Sequence, residues 1–338
     1  LHKEEGDMKT VLVGDVHATP GEISDCEALL NLVYKTIDEH KAGHVLFLGD
    51  LHNCHNVLDS RVVAFWTNSF RGCVDRECQV TALVGNHDFL SPSLMMPHSI
   101  VAHKFMNKVT IVETPVHILN TNYCAMPYYY DSSMFVIDAV RLKKENPTSD
   151  VLFCHQTFCG ADARMGFYSK ESIESSAIPF KIVLPGHIHT PMVLGKVKYI
   201  GAPRWRTLTD AEVETRNIYV LEPGKSPVAI PTNTHCTRIF RLEDSEASPV
   251  QINLTQEQLK LADLRITING TQDYISKRMT ELKAQYNAKC RGVPVRGRLA
   301  KASESEGIDK AFQNFAKSFN PPNGTDLQLL QKECYGRL

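Results

Sequence analysis

Thr10-Val11-Leu12-Val13-Gly14-Asp15-Val16-His17 sets a short apolar run ahead of a glycine, an aspartate and a histidine. Such a run reads as a buried strand, and the polar residues then fall at its carboxyl end, where an α/β sheet exposes its functional edge. The same order recurs. His44 to Leu48 leads into Gly49-Asp50, Val80 to Val84 into Gly85-Asn86-His87-Asp88, Val151 to Cys154 into His155, and Ile182 to Leu184 into Gly186-His187-Ile188-His189. Leu29, Leu30, Val33, Tyr34 and Ile37 recur at helical spacing between the first two runs. Further strands are predicted at Val109 to Val112, Val116 to Leu119, Val197 to Ile200 and Ile218 to Leu221. Strands interleaved with helices predict a layered α/β core.

The chain has 338 residues, enough for one large domain with one or two smaller ones. Apolar residues at 43% and charged residues at 22% exclude a disordered class. No apolar run approaches the roughly 18 residues of a membrane span, so no membrane association is expected. Leu1 to Lys9 is polar and acidic, unlike a signal peptide, and the ten cysteines form no CxxC pairs. A cytoplasmic protein with reduced thiols is expected.

The net charge of -1 conceals an asymmetry. Residues 251–338 carry 14 Lys and Arg against 9 Asp and Glu, leaving 23 against 29 in residues 1–250. Lys277, Arg278, Lys283, Lys289, Arg291, Arg296, Arg298 and Lys301 face only Glu281, a density suited to contacting phosphates. The character of the chain changes after Arg241. Residues 1–241 are read as the core and 242–292 as a small α+β unit, with a strand at Leu264 to Ile268 and a basic helix from Gln272 to Ala288. A Gly- and Ser-rich linker follows at 293–307, then a helical hairpin at 308–338 with Phe312, Phe315 and Phe319 on one face.

Carboxylate oxygen mixed with imidazole nitrogen, without thiolate, suits Mn, Fe or Zn, and a carboxylate can bridge two cations as a neutral imidazole cannot. Two cations about 4 Å apart would clamp the attacking and leaving oxygens of a phosphoryl centre. The expected chemistry is hydrolysis of a phosphoester.

With DxH, GD, GNH, a separate His and GHxH in this order, the sequence resembles the calcineurin-like metallophosphoesterase superfamily over roughly residues 10 to 220. The resemblance implies a four-layer αββα sandwich. One cation would be held by Asp15, His17 and His189, the other by Asn86, His155 and His187, with Asp50 bridging. His87 would be the catalytic residue that contacts the scissile phosphate and protonates the leaving oxygen. Mn is the expected cation, with Mg, Fe or Zn as alternatives. Leu51-His52-Asn53-Cys54-His55 lacks the arginine of protein serine/threonine phosphatases, which disfavours that subclass.

Tyr199-Ile200-Gly201-Ala202-Pro203 resembles the Tyr-x-Gly-Ser-Pro stretch of SbcD-type exonuclease subunits, including phage-encoded recombination nucleases. That likeness implies a DNA exonuclease and endonuclease. It would carry a DNA-capping domain, form a homodimer, and use its C-terminal hairpin to dock on an SMC-like coiled-coil ATPase of the SbcC type. His52, Arg204, Arg206, Lys277, Arg278 and Lys283 are the candidate DNA contacts. Two departures stand out. His52 and His55 lie two and five residues past Asp50 where the family has a histidine at three, and Ala18-Thr19-Pro20 replaces its His-Leu-Gly. The alternative is a small-molecule or cyclic-nucleotide phosphodiesterase of the same superfamily.

Overall fold

The computed structural model describes residues 8–294 apart from 54–56, 92–93, 119–120 and 163–171. The expected hairpin at 308–338, nearly all of the linker, and His55 lie outside the described residues.

Two six-stranded mixed sheets form the core. The first runs, edge to edge, Val228–Pro231, Asn217–Leu221, Thr10–Val13, His44–Phe47, Gln79–Leu83 and Val109–Val112, and its last four strands are parallel. The second runs Met192–Leu194, Val197–Tyr199, Ile182–Gly186, Val151–His155, Tyr123–Met126 and Val116–Ile118, with parallel central strands and antiparallel edges.

Alternation along each strand explains why the sheets stack. Leu12, Leu46, Leu83, Ala125, Phe153 and Leu184 turn into one dry cluster shared by the two sheets. Their neighbours Val11, Val13, Val45, Phe47, Val80 and Ala82 turn the other way, against helices Ile23–His40 and Ser60–Val74. Cys124, Leu152, Cys154 and Val183 do the same on the second sheet, packing with Phe135, Ala139 and Leu142 of helix Ser132–Glu145. A strand buried on both faces must be apolar at every position, which is why these runs read as continuous rather than alternating. Truncating an interlayer leucine such as Leu46 to alanine would cost about 2–5 kcal/mol.

Asp59 and Asp131 cap the second and third of these helices by accepting the Arg61 N–H at 2.9 Å and the Ser133 N–H at 2.8 Å. The first helix stops at Lys41, which takes a left-handed φ of 53°. Trp66 is fully buried on the second helix and donates its indole N–H to the Leu51 carbonyl at 3.2 Å, fixing the backbone just past Asp50.

Strands Arg238–Ser245, Ala262–Gly270 and Lys289–Pro294 form a separate, wholly parallel sheet. Short helix Gln256–Lys260 and helix Gln272–Tyr286 make the two crossovers. Its own small core gathers Leu264, Ile266, Ile268, Ile275 and Leu282. The division expected after Arg241 falls inside the first of these strands, because pairing with Ala262–Gly270 starts at Arg238. Val293 and Pro294, assigned to the linker, belong to the third strand. No helix among the described residues is long and apolar enough to cross a membrane.

Candidate metal centre

The parallel strands of both sheets end on the same side, and the five motifs converge there. Asp15, His17, Asp50 and His155 are buried, while Asn86, His87, His187 and His189 are half-buried. His17 N–H donates to the Asp50 carbonyl at 2.8 Å and Ala18 N–H to that of Leu51 at 2.8 Å, stitching the first two loops together. Three of the converging residues, His17, Asp50 and His187, have positive φ of 49°, 49° and 81°. Each such conformation costs a non-glycine residue on the order of 1–3 kcal/mol, and it aims the side chain back into the cleft.

The motif glycines serve space more than turning. A Cβ on Gly85 would overlap the Asp50 backbone nitrogen and Oδ1, and one on Gly186 would lie 2.5 Å from the Leu48 oxygen and 2.7 Å from Asp15 Oδ1. Gly49, at a φ of 102°, also takes a backbone conformation that favours glycine.

Two groups of ligand atoms result, His17 with Asp50 and His87, and Asp50 with His155 and His187. Asp50 belongs to both, the position of a bridging carboxylate. Around the second group, Asn86 Oδ1 lies 3.0 Å from His155 Nε2 and 2.7 Å from His187 Nδ1, and Asp50 Oδ2 lies 3.4 Å from His155 Nε2. His155 Nδ1 donates to the Leu48 carbonyl at 2.7 Å, which leaves Nε2 facing the cleft as the nitrogen that offers a lone pair once it loses its proton. On the other side, His17 Nε2 lies 2.9 Å from His189 Nε2 and 3.4 Å from Asp50 Oδ2. Asp15 sits between the halves. Its Oδ2 accepts the His187 N–H at 2.9 Å, and its Oδ1 is buried without a hydrogen-bond partner.

The electrostatics ask for positive charge. Burial pushes the Asp15 carboxyl up and Asp50 adds to the shift, since two carboxylates in one dry site resist joint ionisation. Burial also acts upward on Asp50, but His155 and His17 overcome it and hold it well below the usual range. Burial keeps His17 well below its ordinary value and lowers His187 to about 3, so both present neutral, ligand-competent imidazole. His155 moves the other way. Burial opposes its charge, yet Asp50 and Asp15 raise it to about 9. The orphaned Asp15 oxygen, the converging imidazole nitrogens and the shared Asp50 fit a pair of divalent cations.

The calcineurin-like phosphoesterase family model matches residues 8–191. The chain belongs to this family. It is therefore a metallophosphoesterase, and the His/Asp clusters are consistent with a binuclear metal site. No curated protein matches the sequence.

As a calcineurin-like phosphoesterase, the chain would hold one cation with Asn86, His155, His187 and Asp50, and the other with His17, Asp50, His189 and Asp15. Two bound cations supply Lewis acidity toward a phosphoryl oxygen and a nucleophile from water. His87 completes the group with His17 and Asp50, its ring 4.8 Å from that of His17, and its backbone N–H donates to Asp50 Oδ1 at 2.8 Å. Its half-exposed side chain borders the open face, where a substrate's leaving oxygen could take a proton.

Asp88 follows the GNH motif directly, and the sequence alone assigns it no role. Its carboxylate accepts from Gly85 N at 2.9 Å, His52 N at 3.1 Å, Ser99 Oγ at 3.1 Å and Leu51 N at 3.4 Å, locking the second and third loops together. Burial pushes it up to about 7. Its place directly after the ligand motif was the available signal.

Three of the expected DNA contacts are engaged within the protein itself. His52 is fully buried, and burial lowers it to about 3, so it presents neither charge nor surface to a phosphate. Arg204, 1% exposed, donates to the Val16 carbonyl at 2.9 Å and the His17 carbonyl at 3.0 Å. Arg278 spends its guanidinium on Asp244 at 3.0 Å, the Val250 carbonyl at 3.0 Å and Glu281 at 3.2 Å. Of the others, Arg206 is half-buried with Nε 3.7 Å from Glu22, and Lys277 and Lys283 are exposed on helix Gln272–Tyr286.

Proposed function

We propose that this metallophosphoesterase is the nuclease subunit of an SbcCD-like complex, hydrolysing DNA phosphodiesters as an exonuclease and endonuclease in recombination, repair or end processing. The observation that carries the choice of a nucleic acid is an aromatic wall beside the metal centre. The Tyr128 ring lies 5.6 Å from that of His187 and 6.0 Å from that of His155, with Tyr130 edge-on to it at 4.9 Å and Phe89 6.1 Å beyond Tyr130. Tyr130 is 37% exposed. A base next to the scissile phosphate would stack there, a contact worth about 1–3 kcal/mol and open to any base sequence. Exposed Lys277 and Lys283 on the C-terminal unit add attraction for a backbone, in keeping with a capping role for residues 238–294.

The Tyr199 to Pro203 turn supports the reading through its likeness, and its direct work is structural. Tyr199 Oη donates to the Gln156 carbonyl at 3.0 Å, and Ala202 N–H donates to that of His189 at 3.1 Å. Docking of residues 308–338 on an SMC-like ATPase, homodimer formation and Mn as the native cation complete the proposal.

The test is to incubate the full chain and Mn, with and without an SMC-like coiled-coil ATPase, with labelled single-stranded and duplex DNA. A cyclic nucleotide is assayed in parallel. DNA cleavage without comparable turnover of the cyclic nucleotide is expected. Intact DNA alongside rapid hydrolysis of the cyclic nucleotide would replace this reading with a small-molecule phosphodiesterase.

A further inference from the structure

Two buried arginines grip the backbones of His17 and His189. Arg204 donates to the carbonyls of Val16 and His17. Arg216, also 1% exposed, donates through Nη1 to the His189 carbonyl and, at 3.3 Å, to that of Ala202. Both are anchored by acids. Arg204 bonds Glu22 at 3.1 Å and Asp25 at 3.3 Å, and Arg216 bonds Asp210 at 2.9 Å.

These anchors also meet the C-terminal unit. The second oxygen of Asp25 accepts the Thr237 N–H at 2.6 Å, one residue before that unit's first strand. Asp210 lies in the short helical turn Leu208–Glu212, which packs against the same strand. Arg238, the strand's first residue, lies 6.0 Å from the Trp205 ring centre, as does Arg216. Continuous chains of contact thus run from the C-terminal unit to the two histidines. The second group is fixed differently, by the Leu48 carbonyl, Asn86 and Asp15, all within the core.

We infer that Arg204 and Arg216 are positioning residues that couple the histidines of one cation site, His17 and His189, to the seating of the C-terminal unit, leaving the His155 and His187 site uncoupled. A guanidinium suits this task because its planar fork serves two carbonyls and two carboxylates at once, and lysine cannot reproduce that. His17 needs such a hold, since its left-handed backbone persists only if its surroundings over-determine it. The inference rests on the reading of the metal centre and not on DNA as substrate.

The test uses the full chain and three variants, Arg204→Lys, Asp25→Asn and Thr237→Pro, the last removing the N–H donor of the C-terminal unit while also fixing φ at that residue. Mn is titrated by calorimetry, and the bound ions are read by electron paramagnetic resonance, which separates a spin-coupled pair from isolated Mn. In each variant one cation should bind with near wild-type affinity and the other about 10–100-fold more weakly, with an isolated-ion spectrum at two equivalents. Equal weakening of both sites would reduce the arginines to general packing and overturn the inference. Selective loss in Arg204→Lys with none in Thr237→Pro would overturn the coupling to the C-terminal unit. If Arg204→Lys does not fold, the other two variants decide by the same criteria. A wild-type chain that binds no pair of cations defeats the metal-centre reading itself, whereas a paired wild type with unaltered variants defeats only this inference.

Discussion

Removing the Asp88 carboxylate should damage the fold and the site together, by an amount the structure allows to be worked out. The group is 1% exposed and accepts three hydrogen bonds within 3.1 Å, from Gly85 N, His52 N and Ser99 Oγ, with Leu51 N further away at 3.4 Å. In Asp88→Ala these donors stay buried with no acceptor. Each costs about 1–3 kcal/mol, discounted where Ser99 can rotate its hydroxyl elsewhere, so a loss of about 4 kcal/mol is expected. Against a total stability on the order of 5–15 kcal/mol, the variant folds but with a thin margin. Asp88→Asn keeps one oxygen acceptor and turns its amide toward a donor, for a loss of about 2 kcal/mol. Urea unfolding of the cation-free chains measures both. The loops bearing Asp50 and Asn86 loosen together in Asp88→Ala, so affinity for both cations should fall, unlike the one-sided loss expected of Arg204→Lys. A loss below about 1 kcal/mol with unaltered cation binding would refute the argument that this carboxylate holds the two loops in register.

Further expectations concern protons, the bridging group and the aromatic wall. Asp50 and Asp15 raise His155 to about 9 in the cation-free chain, so cation binding near pH 7.5 should release about one proton. Calorimetry in buffers of different ionisation enthalpy counts it, and zero release would contradict the His155 assignment. By linkage, a histidine raised above its ordinary 6.5 stabilises the cation-free fold fully below that pH and loses its contribution as pH rises through about 9. The melting temperature in chelator should therefore fall across that window, more steeply than in His155→Gln. Asp50→Ala should abolish the cation pair, because its carboxylate belongs to both groups, and elemental analysis reads the loss. Tyr130→Ala should raise KM for an oligonucleotide about 10-fold and leave a small chromogenic diester unchanged, and equal effects on both would remove the stacking role.

The legible part of this protein was its parallel-strand edge. Apolar runs ending in Gly-Asp, Gly-Asn-His or Gly-His declared both the sheet and the residues that converge on it, because a strand buried on both faces has no freedom to be polar until it ends. The short antiparallel pieces, Phe89–Ser91 with Leu94–His98, Met192–Leu194 and Val228–Pro231, had no such signature. The parallel third strand Lys289–Pro294 was hidden by its charge, glycine and proline. Arginines were the hardest to read. Arg204, Arg206 and Arg278 invite a phosphate in a linear sequence, yet Arg204 is matched by Glu22 and Asp25 nearly 180 residues earlier, partners that no local pattern reveals. Asp25, Asp210 and Arg216 carry no local sequence signal for the same reason.

We propose for this metallophosphoesterase a two-cation phosphodiesterase centre bridged by Asp50. The direct measurement is the number of cations bound per chain, taken with turnover of a chromogenic phosphodiester, in wild type and Asp50→Ala. Two cations and diester hydrolysis are expected in the wild type, with both pairing and turnover lost in the variant. A wild-type chain that hydrolyses the diester with one cation or none, or an Asp50→Ala chain that still binds two, would contradict this proposal.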